Sequence, residues 1–377
     1  MQTIGTEQLA EGIQTWLRIE SPTCSPQGVA AMAALVERQA RALGLRTTLS
    51  SLGETTGPLL HLSNRAAGDA REGVLILGHL DTVHPLGTLL HNPCRIEGDR
   101  LYGPGGYDMK AGIYLVLQAL GKKSQPGATP LPIDLVLVPD EETGSRKSRA
   151  SIEAFARQSR YALVCEPART KGGRCVTARK GTGTLRLKVH GVPAHAGVEH
   201  DKGRSAIREM AHQVLALEAM TDYARGITVN VGTIEGGTVA NTVPSVCSIH
   251  VDFRVPDMQA GEEIVARMKA LTAVGADLRL EIEAELNRPP MVKTAAAAKL
   301  LAHARGCAGQ AGFMLEDAPM TGGGSDANFV AALGVPTLDG LGAEGDGAHT
   351  LNEYILLSSL EQRLAFWQLL LAQDLSA

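Results

Sequence analysis

Residues 131–145 read LPIDLVLVPDEETGS, a continuous apolar run that ends in a cluster of acids. Such a run predicts a strand buried on both faces, as in a parallel sheet covered by helices. Residues 73–77 (GVLIL) and 161–165 (YALVC) have the same character, and helical patterns occur at 26–44 and 109–120. Strands that alternate with helices predict an α/β fold with a mainly parallel sheet flanked by helices.

A different pattern begins near Lys180. Four strand-like runs and two helical stretches follow in the order β-α-β-β-α-β, which is that of the ferredoxin-like split unit. After about Met291 the pattern of the first part returns. We therefore expect a first domain formed by residues 1–179 and 290–377, interrupted by an inserted α+β domain of residues 180–289.

The composition argues against several classes of protein. The 377-residue chain has a formal net charge of −4 and a pI of about 6.3, which does not favour nucleic-acid or membrane partners. No apolar stretch approaches the roughly 18 residues of a membrane span, and the first residues do not resemble a secretory leader. The six cysteines form no C-x-x-C pair. We expect a cytoplasmic protein, or a periplasmic one if a leader has been removed.

Chemically capable side chains follow each of the three buried strands. His79 and Asp81 follow the first strand, Glu141 and Glu142 follow the second, and Glu166 follows the third. Open parallel sheets bind ligands beyond the carboxyl ends of their strands. These side chains are therefore expected to share one site at that edge of the sheet.

The spacing of these residues indicates a division of roles. Asp81 lies two residues after His79, so both can face one site and Asp81 can orient the imidazole. Glu141 and Glu142 repel one another unless a positive charge lies between them. One can then bind a metal while the other takes a proton from water. Taken alone, Asp108 is as well explained as a helix cap, and the other acids as surface turns.

Eight motifs carry a resemblance to a known family. In chain order they are GHLDTV, GGYDMKAG, PDEETGS, CEP, PAHAG, NTVPS, TGGGSDA and GAHT. Together they resemble the di-zinc aminoacylase and carboxypeptidase family. This family includes glutamate carboxypeptidases of the folate-hydrolysing type, acetylornithine deacetylases and succinyl-diaminopimelate desuccinylases. The match runs nearly end to end, and PDEETGS and GAHT lean toward the glutamate carboxypeptidases.

The resemblance implies two zinc ions per chain, with Co²⁺ or Mn²⁺ as substitutes in vitro. Asp108 would bridge the two ions and precede a cis peptide bond. His79 and Glu166 would complete one zinc site, and Glu142 and His349 the other. Two histidines and three carboxylates are suitable nitrogen and oxygen ligands for zinc.

The resemblance also assigns the catalytic residues and the inserted domain. Glu141 would be the general base, and Asp81 would orient His79. The inserted domain corresponds to a lid that also forms a homodimer. His195 in PAHAG would reach the scissile carbonyl oxygen, in some members from the partner subunit.

Three further residues are expected to contact the substrate. Asn241 would lie beside it, Arg288 would hold its terminal carboxylate, and Gly323 would offer backbone groups. The implied reaction is hydrolysis of an amide bond by metal-bound water, releasing a C-terminal amino acid such as glutamate from an N-acyl or peptidyl substrate. An N-acyl-amino-acid deacylase of the acetylornithine deacetylase or desuccinylase type, or a dipeptidase, stays open as an alternative.

Two other classes fit the sequence less well. Residues 340–345 match the dinucleotide motif G-x-G-x-x-G, but the helix of a β-α-β unit does not follow them. An inactive binding homologue would have lost a ligand or the base, whereas all five ligand candidates and Glu141 are present. We therefore expect an active enzyme that acts on a small amide or short peptide.

Overall fold

The computed structural model describes residues 4–169 and 172–373 of the chain, without the side chain of Lys122. These residues contain ten α-helices: α1 (Thr6–Leu17), α2 (Pro26–Ala42), α3 (Thr88–His91), α4 (Ala111–Leu120), α5 (Arg149–Ala156), α6 (Ala206–Glu218), α7 (Met258–Lys269), α8 (Ala295–Gln310), α9 (Ala327–Ala332) and α10 (Leu360–Leu370). They also contain fourteen strands: β1 (Arg46–Ser50), β2 (Leu59–Ser63), β3 (Gly73–His79), β4 (Arg95–Glu97), β5 (Arg100–Tyr102), β6 (Ile133–Val138), β7 (Ser159–Val164), β8 (Gly181–His190), β9 (Thr228–Gly236), β10 (Val246–Val255), β11 (Arg279–Arg288), β12 (Thr337–Leu338), β13 (Gly345–Asp346) and β14 (Tyr354–Leu356). Across this described part of the chain, no helix has both the length and the apolar character that crossing a membrane requires.

The main sheet has the strand order β1-β2-β6-β3-β7-β12. Strands β6, β3, β7 and β12 run parallel, while β1 and β2 add an antiparallel edge. Strands β3 and β6 are buried along their whole length because their sequences, GVLILGH and IDLVLV, present apolar side chains to both faces. The predicted α/β fold with a mainly parallel sheet is confirmed.

Helices cover this sheet through a continuous apolar core. Trp16 of α1 and Trp367 of α10 are fully buried in it, and helix α4 is buried on almost every side. Gly112 allows α4 to approach strand β7 closely, because a Cβ atom there would lie 2.5 Å from the carbonyl oxygen of Cys165. This packing holds the segment before α4 close to the residues that follow β7.

The sequence analysis does not predict the antiparallel edge or the small third sheet. Strand β1 (RTTLS) exposes most of its side chains, so no apolar run marks it. The third sheet has the order β13-β14-β5-β4, and its strands are only two or three residues long. Its pairing of Tyr354 with Tyr102 nevertheless joins the C-terminal loop to the segment that leads into α4.

The second compact unit comprises Arg179–Met291 and Gly322–Gly324, whereas the sequence analysis expects an insert of residues 180–289. Its four strands form an antiparallel sheet in the order β11-β8-β10-β9. In chain order these strands are the fourth, first, third and second, which is the ferredoxin-like arrangement. Helices α6 and α7 contribute to a separate apolar core of this unit.

Candidate metal centre

Three neighbouring parallel strands end at the candidate site. His79 is the last residue of β3, Glu141 and Glu142 lie in a 3₁₀ turn after β6, and Glu166 follows β7. Because β6, β3 and β7 are adjacent, their carboxyl ends lie side by side. Ligand atoms of His79, Glu141 and Glu166 all lie within 4.8 Å of one another. The structure thus brings together residues that are far apart in the sequence.

The carboxylate of Asp108 lies between two imidazoles. Its Oδ1 is 3.0 Å from Nε2 of His79, and its Oδ2 is 3.3 Å from Nε2 of His349. The backbone of Asp108 is not helical (φ −116°, ψ 93°), and the following peptide bond to Met109 is cis, as the resemblance implies. In the described chain helix α4 has no side-chain cap, so Asp108 is not the cap that was the alternative interpretation. Each oxygen of the Asp108 carboxylate thus faces a different imidazole.

Two more carboxylates complete the cluster. Oε2 of Glu142 is 3.3 Å from Nε2 of His349, and Oε1 of Glu166 is 4.0 Å from Nε2 of His79. The other oxygen of Glu142, Oε1, is buried and has no hydrogen-bond partner among the described residues. Buried polar atoms of this kind are rare in native proteins, so each needs a reason. Coordination of a metal ion provides one.

The protein's own groups leave two of these acids short of positive charge. Burial, together with the charges of Asp108 and Glu141, raises the pKa of Glu166 well above its ordinary value. Burial also raises the pKa of Glu142 to about 7, although the hydrogen bond with His349 acts in the opposite direction. A divalent cation at this position would provide the missing charge.

Asp108 stabilises the protonated forms of both imidazoles. Hydrogen bonds with Asp108 and Glu142 raise the pKa of His349 to about 10. Burial opposes the charged form of His79, but the hydrogen bond with Asp108 and the charges of Asp108, Asp81 and Glu141 together outweigh burial and raise the pKa of His79 well above its ordinary value. Burial alone would raise the pKa of Asp108, but both imidazoles hold it below the usual range. A metal bound by these nitrogens would displace their protons, so metal binding must weaken as pH falls.

The spacing of the donor atoms fits zinc. Four ligands at bond lengths of about 2.0–2.1 Å in a tetrahedron lie about 3.3 Å from one another. The separations of Asp108 from His79 and His349, and of His349 from Glu142, are 3.0, 3.3 and 3.3 Å. The donors are imidazole nitrogens and carboxylate oxygens, which suit zinc. The residues present therefore fit the metal that the resemblance implies.

The main-chain oxygen and the carboxylate of Asp81 make different contacts. Nδ1 of His79 lies 2.9 Å from the main-chain oxygen of Asp81 but 3.6 Å from its carboxylate, so the main chain holds the imidazole. The carboxylate instead accepts the backbone N–H groups of Glu141 and Glu142, at 3.1 and 3.2 Å, and the hydroxyl of Thr23, at 2.6 Å. The sequence interpretation assigned the orientation of His79 to the side chain, and no local pattern marks Thr23.

Two buried residues near the site are missed by the sequence analysis. Oε2 of Glu353 lies 2.6 Å from Nε2 of His84, although 269 residues separate them in the chain. The only sequence signal is the position of Glu353 four residues after His349, in the same loop. A contact of such long range leaves no pattern in either local sequence.

The sequence matches the model of a peptidase family over residues 75–373, which include every metal-ligand candidate. The chain belongs to peptidase family M20/M25/M40. It is 29% identical to carboxypeptidase G2 of Pseudomonas sp. (strain RS-16) over 361 residues, which cover 93% of this chain and 86% of that protein. It is also 29% identical to succinyl-diaminopimelate desuccinylase of Bordetella petrii over 365 residues, which cover 91% and 92% of the two chains.

Solved structures share the fold. Aminopeptidase PepT from Bacillus cereus matches with a TM-score of 0.75 and 24% sequence identity, and the match covers 98% of each chain. The M20/M25/M40 family is metal-dependent, typically with zinc, and the described residues include a cluster suited to metal binding. The protein is therefore a hydrolase of the peptidase and amidohydrolase class.

Two of the expected substrate residues lie together in the second unit of this M20/M25/M40 protein. His195 pairs with Thr242 in an antiparallel bridge, and the N–H of Ala196 donates to the carbonyl oxygen of Asn241 at 2.9 Å. The side chains of His195 and Asn241 are both exposed. The two loops thus form one hydrogen-bonded structure that presents both side chains to solvent.

Arg288 and Gly323 belong to another part of the same unit. Arg288 ends strand β11 opposite Thr182 and is only 6% exposed. A Cβ atom at Gly324 would lie 3.0 Å from Cδ of Arg288, so this glycine permits a close approach. The carbonyl oxygen of Gly323 accepts a hydrogen bond from the guanidinium of Arg179 at 3.0 Å. Arg179 is a buried residue that the sequence analysis does not single out.

The two groups of substrate residues lie at opposite ends of strand β8. Arg288 is opposite Thr182, near the start of that strand, whereas His195 lies beyond its last residue, His190. From Thr182 to His190 the strand rises about 26 Å, at about 3.3 Å per residue. The pairing of His195 with Thr242 continues the ladder outward from that end. A small amide does not span His195 and Arg288 of one chain.

Proposed function

We propose that the protein is a di-zinc metallopeptidase that releases a C-terminal amino acid, with glutamate as the first candidate, from an N-acyl or peptidyl substrate. The observation that carries the proposal is the carboxylate of Asp108, whose two oxygens each face a different imidazole within a cluster of further acids. Similarity over 93% of the chain to a protein named carboxypeptidase supports the direction of cleavage.

In this proposal the five ligand candidates divide between two ions. Asp108 would contact both ions, His79 and Glu166 would complete one site, and Glu142 and His349 would complete the other. When bound, zinc polarises a carbonyl group and lowers the pKa of water into the neutral range. The main-chain oxygen of Asp81 keeps the imidazole of His79 in the tautomer that leaves Nε2 available.

Glu141 is the proposed general base. It accepts a proton from the attacking water while the bond from the water oxygen to the carbonyl carbon forms. It then returns that proton to the leaving nitrogen as the C–N bond breaks. The carboxylate of Asp81, which accepts the N–H of Glu141, holds the base in place.

Arg288 is proposed to hold the terminal carboxylate of the substrate, because a guanidinium pairs with a carboxylate through two parallel hydrogen bonds. The backbone of Gly323 is proposed to line the site beside Arg288, and Asn241, which lies beside His195, is proposed to reach the substrate together with His195. Arg288→Ala should raise KM for N-acylglutamates by about 10–100-fold, as expected for the loss of hydrogen bonds between charged groups. Arg279→Ala, at the exposed opposite end of the same strand, is the matched control and should leave KM unchanged.

A deacylase is the second candidate, because the desuccinylase of Bordetella petrii is as similar in identity and coverage as the carboxypeptidase. A panel of N-acyl amino acids, folate-type glutamates and dipeptides, assayed with and without added zinc, separates the candidates. Zinc-dependent release of glutamate from several acyl donors supports the carboxypeptidase. Selective hydrolysis of N-acetylornithine or N-succinyl-diaminopimelate, unaffected by Arg288→Ala, would overturn it in favour of the deacylase.

We further propose a homodimer formed through the second unit, acting in the cytoplasm. Support comes from the separation of His195 and Arg288, which lets one substrate meet both residues only if they belong to two chains. His195→Ala and Glu141→Gln chains, each inactive alone, would then form mixed dimers with one intact site. Dissociated and reassociated in equal amounts, they should regain about a quarter of the wild-type activity. No recovery from a verified mixed dimer would refute the shared site.

A further inference from the structure

The carboxylate of Glu353 is buried beneath the loop that carries Asp108. It is 1% exposed and accepts hydrogen bonds on both oxygens. Its Oε1 receives the backbone N–H groups of Tyr107 and Asp108, each at 2.9 Å. Its Oε2 receives the N–H of Gly105 at 3.0 Å and faces Nε2 of His84 at 2.6 Å. Because a carboxylate only accepts, Nε2 of His84 must carry the proton.

These contacts join the two loops that carry the ligand candidates Asp108 and His349, which themselves lie 3.3 Å apart. One loop turns at Gly105, where φ is +70°, and continues to Asp108. The other loop contains His349, where φ is +65°, and ends at Glu353 itself. Strand pairing of Tyr354 with Tyr102 fixes the base of both loops. A single carboxylate thus ties the backbone of Asp108 to the chain that presents His349.

We propose that Glu353, supported by His84, is a positioning residue that sets Asp108 and His349 for binding two zinc ions, and that zinc affinity depends on it. The inference rests on the proposed di-zinc function. Glu353 is not a ligand in this scheme, because its four lone-pair positions already face four donors. Its effect reaches the metal only through the backbone of Asp108 and the course of the His349 loop.

The Glu353→Gln substitution tests the hydrogen bonds that the carboxylate accepts. Glu353→Gln keeps the shape of the side chain but turns one acceptor oxygen into an NH₂ group. That group would face either the N–H groups of Tyr107 and Asp108 or the N–H of Gly105 with His84. His84 can change its tautomer to accept a hydrogen bond, but a backbone N–H cannot. At least one buried N–H therefore loses its partner and the Asp108 loop must shift.

The experiment is a zinc titration of the full-length, metal-stripped protein against a competing chelator. Glu353→Gln should bind zinc about 10–100-fold more weakly than wild type, as expected for the loss of a group that orients a ligand. Glu97→Gln removes an exposed acid from the same small sheet and should leave the affinity unchanged. Visible absorption of the Co²⁺-loaded proteins is a second readout. It should change for Glu353→Gln but not for Glu97→Gln.

Variants of His84 test the other half of the pair. His84→Gln retains an N–H donor toward Glu353 and should keep near-wild-type zinc affinity, whereas His84→Leu removes the donor and should weaken binding. A role in folding alone would instead lower the thermal unfolding midpoint of the metal-stripped variants and leave zinc affinity and the Co²⁺ spectrum at wild-type values. That result would overturn the inference.

The outcomes separate this inference from the proposed function. If the wild-type protein binds no zinc, both the proposed di-zinc function and this inference are refuted. Wild-type protein that binds zinc tightly, together with a Glu353→Gln variant of equal affinity, would remove only the inference. If Glu353→Gln does not fold, Glu353→Asp and His84→Leu carry the same comparison, since each weakens the contact and keeps most of the packing.

Discussion

The two ends of strand β6 hold acids in opposite electrostatic surroundings. At its start, burial alone would raise the pKa of Asp134, but hydrogen bonds with His61, Arg65 and Ser63 and the charge of Arg65 together outweigh burial and lower the pKa to about 2. Just past its end, burial raises the pKa of Glu142 to about 7. Both carboxylates are largely removed from water. The difference lies in the positive partner, which the chain itself supplies at one end.

This contrast distinguishes a structural acid, Asp134, from two acids of a functional site, Glu142 and Glu166. Burying a charge is costly unless a partner compensates it, and Arg65 compensates Asp134 within the fold. Glu142 and Glu166 are compensated less fully by protein groups, and strongly shifted pKa values of this kind cluster at functional sites. The two ends of the strand should therefore respond differently to substitution, to zinc and to pH.

Replacement of the proposed base should give the largest effect. Glu141→Gln removes the group that transfers the proton, so turnover should fall by about 10²–10⁴-fold. Zinc content and the free energy of unfolding should stay near wild type. Asp134→Asn, at the other end of the strand, is the control and should keep wild-type turnover. Wild-type turnover in a zinc-loaded Glu141→Gln enzyme would rule out Glu141 as the base.

Zinc should stabilise the folded protein through the acid at the carboxyl end of β6, Glu142, and not through Asp134 at the other end. Free zinc at 100 times its dissociation constant should raise the free energy of unfolding by about 2.7 kcal/mol per site. Glu142→Gln removes a ligand candidate and should lose most of this gain, whereas Asp134→Asn should retain it. Chemical unfolding with and without zinc measures both. An equal zinc increment in the two variants would contradict the assignment of Glu142.

Without zinc, the order of stability of the Glu142→Gln and Asp134→Asn variants should reverse. The raised pKa of Glu142 means that its charge is unfavourable where it lies, so Glu142→Gln should cost no stability in a chelator. Asp134→Asn should be the destabilised variant under that condition, because it breaks a pair made within the fold. Chemical unfolding in zinc and in chelator should therefore rank the stabilities of the two variants in opposite orders.

Much of the fold and of the ligand cluster is predictable from the sequence for one physical reason. Strands buried on both faces, such as GVLIL and IDLVLV, appear as unbroken apolar runs, so their carboxyl ends can be located. In a parallel sheet those ends are neighbours, which brings together His79, Glu142 and Glu166. The sheet topology thus places residues from three separate sequence motifs in one site.

The rest depends on contacts that no local pattern records. Strand β1 is mostly exposed, and the strands of the third sheet are too short to show alternation. Glu353 and His84 meet across 269 residues. The i, i+2 rule for extended chains suggested that the carboxylate of Asp81 holds His79. The chain leaves the strand at His79, however, and the main-chain oxygen makes that contact instead.

The carboxylate of Asp81 offers a smaller test of how the carboxyl end of β6 is held. Asp81→Asn keeps the main-chain contact with His79 but turns an NH₂ group toward the N–H of Glu141 or Glu142. Turnover should fall by about 10–100-fold. Thr23→Val removes only the hydroxyl donor to the same carboxylate and should have a weaker effect. A larger loss for Thr23→Val than for Asp81→Asn would show that the backbone contacts are not what matters.

The smallest expected effect is the acid sensitivity of the amino end of β6. The folded pKa of Asp134, about 2, lies below its ordinary value of 3.8, so its pairing with Arg65 and His61 stabilises the fold above about pH 4. That contribution, about 1–2 kcal/mol after allowance for partial contact with solvent, is lost as pH falls from about 4 to 2. Unfolding of wild type and Asp134→Asn in chelator over this range isolates it, because all other acids are common to both proteins. The difference in the free energy of unfolding should shrink steadily toward pH 2. A difference that stays constant would mean that Asp134 stabilises the fold by packing rather than by charge, and that the two ends of β6 do not differ in the way proposed.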